Sequence, residues 1–194
     1  MSVNFTKRIL AYLIDLLFLG SIIIFIYQFI PEPKAVTDLQ TDIAVLNEEY
    51  LNRQIETSSY LRNYSNLIYD VDQKQVIFPI INFITIFLYF VIVPFLLQGQ
   101  TIGKYIMKIK IESKKKKLSI FTLTVRNLIV NGLGYLILSF LALLFVPKNM
   151  YLYVISILGI IQLGLVITSA FMIIYRKDKK GIQDILTNTK VVKK

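Results

Sequence analysis

The sequence of 194 residues contains no cysteine and no histidine. Without cysteine the chain forms no disulfide and offers no thiolate to a metal ion, and its redox compartment stays open. Without histidine it lacks the commonest metal ligand and the commonest proton shuttle at neutral pH. We therefore expect no bound metal, no cofactor and no enzyme activity, because no nucleophile has a base beside it.

Charged residues are also scarce, at 18% of the chain, against about 25% in soluble domains. Apolar residues are gathered into four long runs, of which only the first carries a charge, Asp15. Roughly 20 such residues cross a bilayer as a helix. The sequence therefore predicts an all-α fold, a four-helix transmembrane bundle that forms one membrane domain over 1–194. The predicted spans are 9–30, 76–97, 128–146 and 151–175.

Charge differs between the segments that connect these spans. Segment 31–75 holds eight acids and four bases, 98–127 holds eight bases and one acid, and 176–194 holds seven bases and two acids. Basic segments stay on the cytoplasmic side of a membrane. We therefore expect a multi-pass protein of the cell membrane with the loop 98–127, the tail 176–194 and both termini in the cytoplasm. The acidic loop 31–75 then faces outward.

The outer loop has the pattern of an amphipathic helix. Its apolar residues recur at spacings of three to five over 36–55, which suits several helical turns, and 70–74 has the composition of a turn. Its polar face is too acidic to lie on an anionic membrane. We expect it to pack on the protein itself or on a partner, either a second copy of the chain or another membrane protein.

The basic loop invites comparison with a phosphate-binding loop, because Gly99, Gly103 and Lys104 lie close together. The spacing is one residue short, Tyr105 replaces the required Ser or Thr, and a membrane helix precedes the motif where a strand is needed. This comparison fails. The apolar spacing over 102–109 instead predicts a short interfacial helix, and Ser119 is the expected N-cap of the next helix.

The lysines of the basic loop suggest contact with lipid. Lys114 to Lys117 are expected to form a solvated loop that touches anionic head groups. Nucleic acid is not an expected partner, because the bases crowd near the ends of spans. Alternating patterns at 109–111 and 190–192 predict a small sheet, which would complete a cytoplasmic interfacial cap.

A few polar residues inside the spans are candidates for binding an ion or substrate: Asp15, Arg8, Arg126 and Asn131. Arg8 and Asp15 are seven residues apart, so they project from nearly the same helix face. We expect Asp15 to be buried and to pair with Arg8, Arg126 or both. A structural staple and an ion or proton site both remain open for Asp15.

At these positions the sequence resembles the RDD family of membrane proteins. The matching segments are Arg8-Ile-Leu-Ala-Tyr-Leu-Ile-Asp15, Gly99-Gln-Thr-Ile-Gly-Lys104 and Asp184-Ile-Leu-Thr-Asn-Thr-Lys-Val-Val192. The resemblance implies signature residues at Arg8, Asp15, Gly99, Thr101, Gly103, Lys104 and Asp184. For the family itself, function is mostly described as unknown, with transport suggested. Asp184 is expected to cap a helix or to pair with nearby lysines.

Two functions follow as hypotheses. In the first, the protein transports a proton, a cation or a small solute through a bundle that contains Asp15. In the second, it is a membrane interaction, accessory or immunity protein, with a structural Arg8–Asp15 pair and an outer loop that binds a partner.

Overall fold

The computed structural model describes residues 3–31, 33–113 and 117–194. Helices make up most of this part of the chain. They are α1 (Phe5–Tyr27), α2 (Lys34–Leu51), α3 (Thr57–Lys74), α4 (Ile77–Phe87), α5 (Val93–Leu96), α6 (Ile102–Ile106), α7 (Ile120–Val130), α8 (Leu133–Phe145), α9 (Lys148–Tyr175) and α10 (Ile182–Leu186). The strands are β1 (Ile109–Ser113) and β2 (Thr189–Lys193), and a π-helical turn, Leu88–Ile92, joins α4 to α5.

Three helical segments are long and apolar enough to cross a membrane: α1, α9 and the continuous stretch Ile77–Leu96. They correspond to the first, fourth and second predicted spans. Only 11% of the most apolar window of α9 is buried inside the protein, as expected of a helix whose surroundings are lipid. A mostly helical chain with at least three candidate spans is therefore confirmed.

The third predicted span is not a straight helix. In place of 128–146 the structure has α7 and α8, which meet at an angle of 75°. The break falls at Asn131-Gly132, where Gly132 has φ +69°, a left-handed conformation that favours glycine. Gln162 of α9 donates a hydrogen bond of 2.6 Å to the carbonyl of Ile129, so a backbone acceptor beside the break stays satisfied inside the bundle.

The second span contains a related irregularity. Pro94 has no N–H for the carbonyl of Phe90, and its ring crowds that carbonyl. The helix widens into the π-helical turn immediately before Pro94. Asn127 of α7 donates a hydrogen bond of 2.8 Å from Nδ2 to the carbonyl of Phe90. A polar side chain of the broken third span thus replaces the bond that proline removes.

The acidic loop forms a helical hairpin, in which α2 covers most of the predicted amphipathic helix and α3 is a second helix that follows it. The predicted turn at 70–74 is wrong, because these residues form the last turn of α3. The buried Ser65 hydroxyl donates to the Lys148 carbonyl at 2.6 Å and accepts from the Leu152 N–H at 3.0 Å. Asp72 accepts a hydrogen bond of 2.7 Å from the Tyr151 hydroxyl. These bonds fix the hairpin on the first turns of α9.

At the other end of the molecule α6, β1, α10 and β2 form a structure that we call the cap. The predicted pairing of 109–111 with 190–192 is confirmed: β1 and β2 are antiparallel, with Ile111 opposite Val191. Ile109, Ile111 and Val191 are buried in one apolar core with residues of α1 and α7. The Ser119 hydroxyl caps α7 by accepting from the Thr122 N–H at 3.1 Å, as expected. Of the predicted lysine loop, 114–116 lie outside the described residues.

Candidate functional site

Asp15 is fully buried and surrounded by hydrogen-bond donors. Its Oδ1 accepts from the Tyr89 hydroxyl at 2.6 Å and from the Gly103 N–H at 2.7 Å. Its Oδ2 accepts from the Thr101 hydroxyl at 2.6 Å, and the Lys104 ammonium lies 3.8 Å from the same oxygen. The carboxylate therefore fastens the loop before α6 to the middle of α1.

Two glycines explain why that loop fits. A Cβ at Gly103 would lie 2.0 Å from the carbonyl oxygen of Ala11, so only glycine allows α6 to approach α1 so closely. Gly99 has φ +93°, and a Cβ there would lie 2.1 Å from the Ile111 carbonyl oxygen. The signature Gly99, Thr101, Gly103 and Lys104 thus describes a loop that binds α1 on one side and β1 on the other.

Asp184 is the second fully buried carboxylate of this region. Its Oδ2 lies 2.8 Å from Nη1 of Arg8, and its Oδ1 forms an ion pair with Nη1 of Arg126. The Gly181 N–H donates to Oδ2 at 3.2 Å, so Asp184 also caps α10, as expected. Burial raises the pKa of Asp184, but the attraction of Arg126 and Arg8 outweighs it and holds this pKa below its usual range.

These contacts correct the predicted pairing. Asp15 is buried as expected, but both arginines pair with Asp184, and the predicted Arg8–Asp15 staple is wrong. Asp15 lies about 10 Å further along α1 than Arg8, and the loop before α6 fills the space beside it. The expected partners of Asp184 were lysines, whereas the structure provides Arg8 and Arg126.

A cavity of about 250 Å³ lies between these two carboxylate clusters. Its polar lining includes Arg8, Lys104, Arg126 and Asn131, and apolar residues of α1, α7, α9, the π-helical turn and both strands complete it. The side chains of Arg8, Lys104 and Arg126 are 10%, 17% and 9% exposed. Three of the four predicted binding residues, Arg8, Arg126 and Asn131, therefore line one cavity. The fourth, Asp15, lies behind its wall.

Lys104 links the two clusters. Burial lowers its pKa to about 8, although the nearby Asp15 opposes the change. The ammonium also donates to the Thr101 hydroxyl at 3.2 Å and lies 5.8 Å from the centre of the Phe90 ring. A cation held in this way retains a proton at neutral pH and can lose it in mild base.

Some functional contacts were not foreseen from the sequence. Tyr89 and Asn127 look like ordinary polar residues of membrane helices, and nothing in their spacing points to Asp15 or to Pro94. Thr189, which accepts from Arg126 Nη1 at 2.8 Å, lies in a tail whose position the sequence does not specify. The signal that was available is the Gly-x-Thr-x-Gly-Lys segment, which supplies three of the four groups around Asp15.

Comparison with known proteins identifies a family. The sequence model of the family described as the RDD family matches residues 3–188, which is nearly the whole chain. No curated protein and no solved structure matches the chain.

Proposed function

We propose a function from the premise that the chain belongs to the RDD family and is a membrane protein with apolar spanning helices. The protein binds an anionic solute in the cavity beside Arg8, Lys104 and Arg126 and carries it across the membrane. We further propose four crossings, with the bent pair α7–α8 as the third, and both termini in the cytoplasm. The support for this orientation is that the basic segments belong to the cap end. A reporter fused at Lys194 that is active only outside the cell would contradict it.

The charge around the cavity is the observation that carries the proposal. Asp184 supplies one negative charge to two guanidinium groups, and Asp15 lies near the ammonium of Lys104. In the described part of the chain, the three cations of the lining and the two carboxylates behind it therefore leave an excess of one positive charge at the cavity. Leaving a charge unpaired away from water costs several kcal/mol. An anion in the cavity removes that cost.

Asp15 has a positioning role in this proposal. A cation would have to displace the hydroxyls of Tyr89 and Thr101 and the N–H of Gly103 from its two oxygens. We therefore assign binding to the cationic lining, and to Asp15 the placement of Lys104 at the cavity wall.

Two irregular spans beside the cavity support transport. Asn131 stands at the break between α7 and α8, and Phe90 belongs to the π-helical turn. Both line the cavity. Broken membrane helices supply binding sites in many transporters, and π-helical turns are frequent at functional sites.

Flux into proteoliposomes tests the proposal. Wild-type protein should transfer an anion from a panel that includes phosphate, glycerol 3-phosphate and fluorescent phosphatidylglycerol, and Lys104→Gln should reduce the rate. The exposed Lys108 on the same loop gives the matched control, Lys108→Gln. Proton or sodium flux that is lost in Asp15→Asn, without any anion flux, would instead favour a cation site at Asp15.

A second candidate function is docking of a partner outside the cell by the α2–α3 hairpin. The observation in its favour is that the hairpin is a fixed structure, anchored on α9 by Ser65 and Asp72. Co-purification after cross-linking tests for a second copy or another membrane protein. In either case we propose a role without enzyme activity, since the chain has no histidine and no cysteine.

A further inference from the structure

Two membrane-spanning helices, α1 and α9, form sides of the cavity. On both α1 and α9 the lining residues follow the spacing i, i+3, i+4 and i+7, which places them on one face. They are Phe5, Arg8, Ile9 and Tyr12 on α1, and Val166, Ser169, Ala170 and Ile173 on α9. Seven residues extend about 10 Å along a helix. The cavity is therefore a slot that runs from the cap towards the middle of the bundle.

The slot opens towards the surface of these helices. Ile9 is 39% exposed and Val166 is 37% exposed, although both line the cavity. They lie on the two helices that form its sides. The lining therefore includes side chains on the outer surface of α1 and α9, where a molecule in the surrounding bilayer would first meet the cavity.

The polar lining leaves donors for an anionic group. A guanidinium has five N–H donors, and the described hydrogen bonds of Arg8 and Arg126 all use Nη1. The buried Oδ1 of Asn131 has no hydrogen-bond partner in the described part of the chain. The lining therefore matches a group that combines anionic oxygens with a hydroxyl donor.

The volume limits what fits inside. The cavity has a volume of about 250 Å³. Pockets that enclose a whole drug-sized molecule have about 300–1,000 Å³. This cavity holds a head group, and any long chain attached to it remains outside, against the exposed apolar surface of α1 and α9.

We propose that the cavity binds the phosphate head group of an anionic phospholipid, which enters from the bilayer between α1 and α9. This inference rests on the proposed function and names the substrate class of the same site. Basic pockets between membrane helices on the cytoplasmic side are known sites for anionic lipid head groups. The excess positive charge favours a lipid with a net negative charge, and it repels the quaternary ammonium of a choline head group.

Native mass spectrometry of the full chain in detergent tests the inference. The protein is titrated with dioleoyl phosphatidylglycerol and, separately, with the choline lipid that has the same acyl chains. We expect one phosphatidylglycerol to bind at least tenfold more tightly than the choline lipid. Lys104→Gln should weaken this binding at least tenfold, as expected for the loss of a charged hydrogen-bond donor, and Lys108→Gln should leave it unchanged.

A second variant keeps every charge. Ala170→Leu fills the slot from α9 with apolar volume and should abolish the tight binding. Thr168→Leu makes a similar change on an exposed position of α9 and should have no effect. This pair of variants distinguishes lipid binding in the cavity from a general attraction of lipid to a basic surface.

Each outcome has a distinct meaning. Equal affinity for the two lipids, or tight binding that survives both Lys104→Gln and Ala170→Leu, overturns the inference. Binding of glycerol 3-phosphate without binding of the lipid also overturns it, while the proposed anion site stands. Absence of binding by either ligand overturns both proposals. Lipid binding at the cavity without any flux supports the inference and contradicts only transport.

Discussion

The two buried carboxylates at the cap end are stabilised in different ways. Asp15 accepts hydrogen bonds from two hydroxyls and a backbone N–H, and its nearest cation is 3.8 Å away. Asp184 contacts two guanidinium groups directly. The first arrangement depends on the fit of a loop, and the second depends on charge. Substitutions at the two sites should therefore differ in size and in kind.

The largest effect is expected at the ionic site. Arg126→Ala leaves the buried Asp184 with Arg8 as its remaining guanidinium. Breaking a buried ion pair by removing one partner costs about 3–5 kcal/mol of unfolding free energy. The variant should show a strongly reduced melting temperature by circular dichroism in detergent. Arg176→Ala removes the exposed pair with Asp178 and should leave the melting temperature unchanged.

A smaller loss is expected for Asp15→Asn. The amide keeps the shape and one acceptor oxygen, but its NH₂ group meets the Thr101 hydroxyl, which at present donates to this position. The expected loss of unfolding free energy is about 1–3 kcal/mol. Because the remaining amide oxygen can still accept from Tyr89 and Gly103, Lys104 should stay at the cavity wall and the folded remainder of the variant should keep its flux per molecule. A fully abundant variant without flux would make Asp15 a binding residue and contradict this assignment.

The fit of the loop gives a third comparison. Gly103→Ala forces α6 away from the Ala11 carbonyl, and overpacking of this kind costs about 1–3 kcal/mol. Gly20→Ala is the matched control on α1, where a Cβ meets no atom within 4 Å. It should stabilise the protein by up to about 1 kcal/mol, since alanine favours the helix. Equal melting temperatures for the two variants would show that the close contact at Gly103 is unimportant.

Per unit of pH, the smallest effect is expected from Lys104, which faces Asp15 of α1, Arg126 of α7 and Asp184 of α10. Its pKa is about 8 in the folded protein and 10.5 when unperturbed. Between these values the unfolded chain binds more protons, so this residue makes stability rise with pH, by at most about 1.4 kcal/mol per unit. Affinity for an anion should fall over the same range.

Measurement of melting temperature and of phosphatidylglycerol binding from pH 7 to 10 tests both trends. In Lys104→Gln both slopes should be reduced. Slopes that persist in this variant would assign the pH dependence to other groups.

The sequence was sufficient where a pattern is local. The alternating residues at 109–111 and 190–192 predicted the β1–β2 pairing, and Ser119 predicted a cap, because each depends on a few neighbouring residues. The partners of Asp15 could not be derived in the same way. The helix-face argument considers only groups on α1, whereas the actual donors come from a loop and from the second span.

The broken third span shows a similar limit. Its apolar composition indicates a membrane helix, and Asn131-Gly132 is a weak local signal for a break. What makes the break stable is remote in sequence: Gln162 of α9 satisfies the carbonyl of Ile129. Composition therefore predicts a membrane helix in this segment, whereas the bend of 75° is determined by packing.

The position of Asp184 has a consequence for biogenesis. Its partner Arg8 precedes it by 176 residues, so the first span leaves the ribosome long before its counter-ion exists. Asp15, in contrast, receives Thr101, Gly103 and Lys104 at least 80 residues before Asp184 is made. We expect assembly in two stages, in which α1 and the loop before α6 dock early and α10 and β2 complete the fold. A nascent chain arrested before Asp184 should hold two arginines at the membrane surface and remain open to proteases.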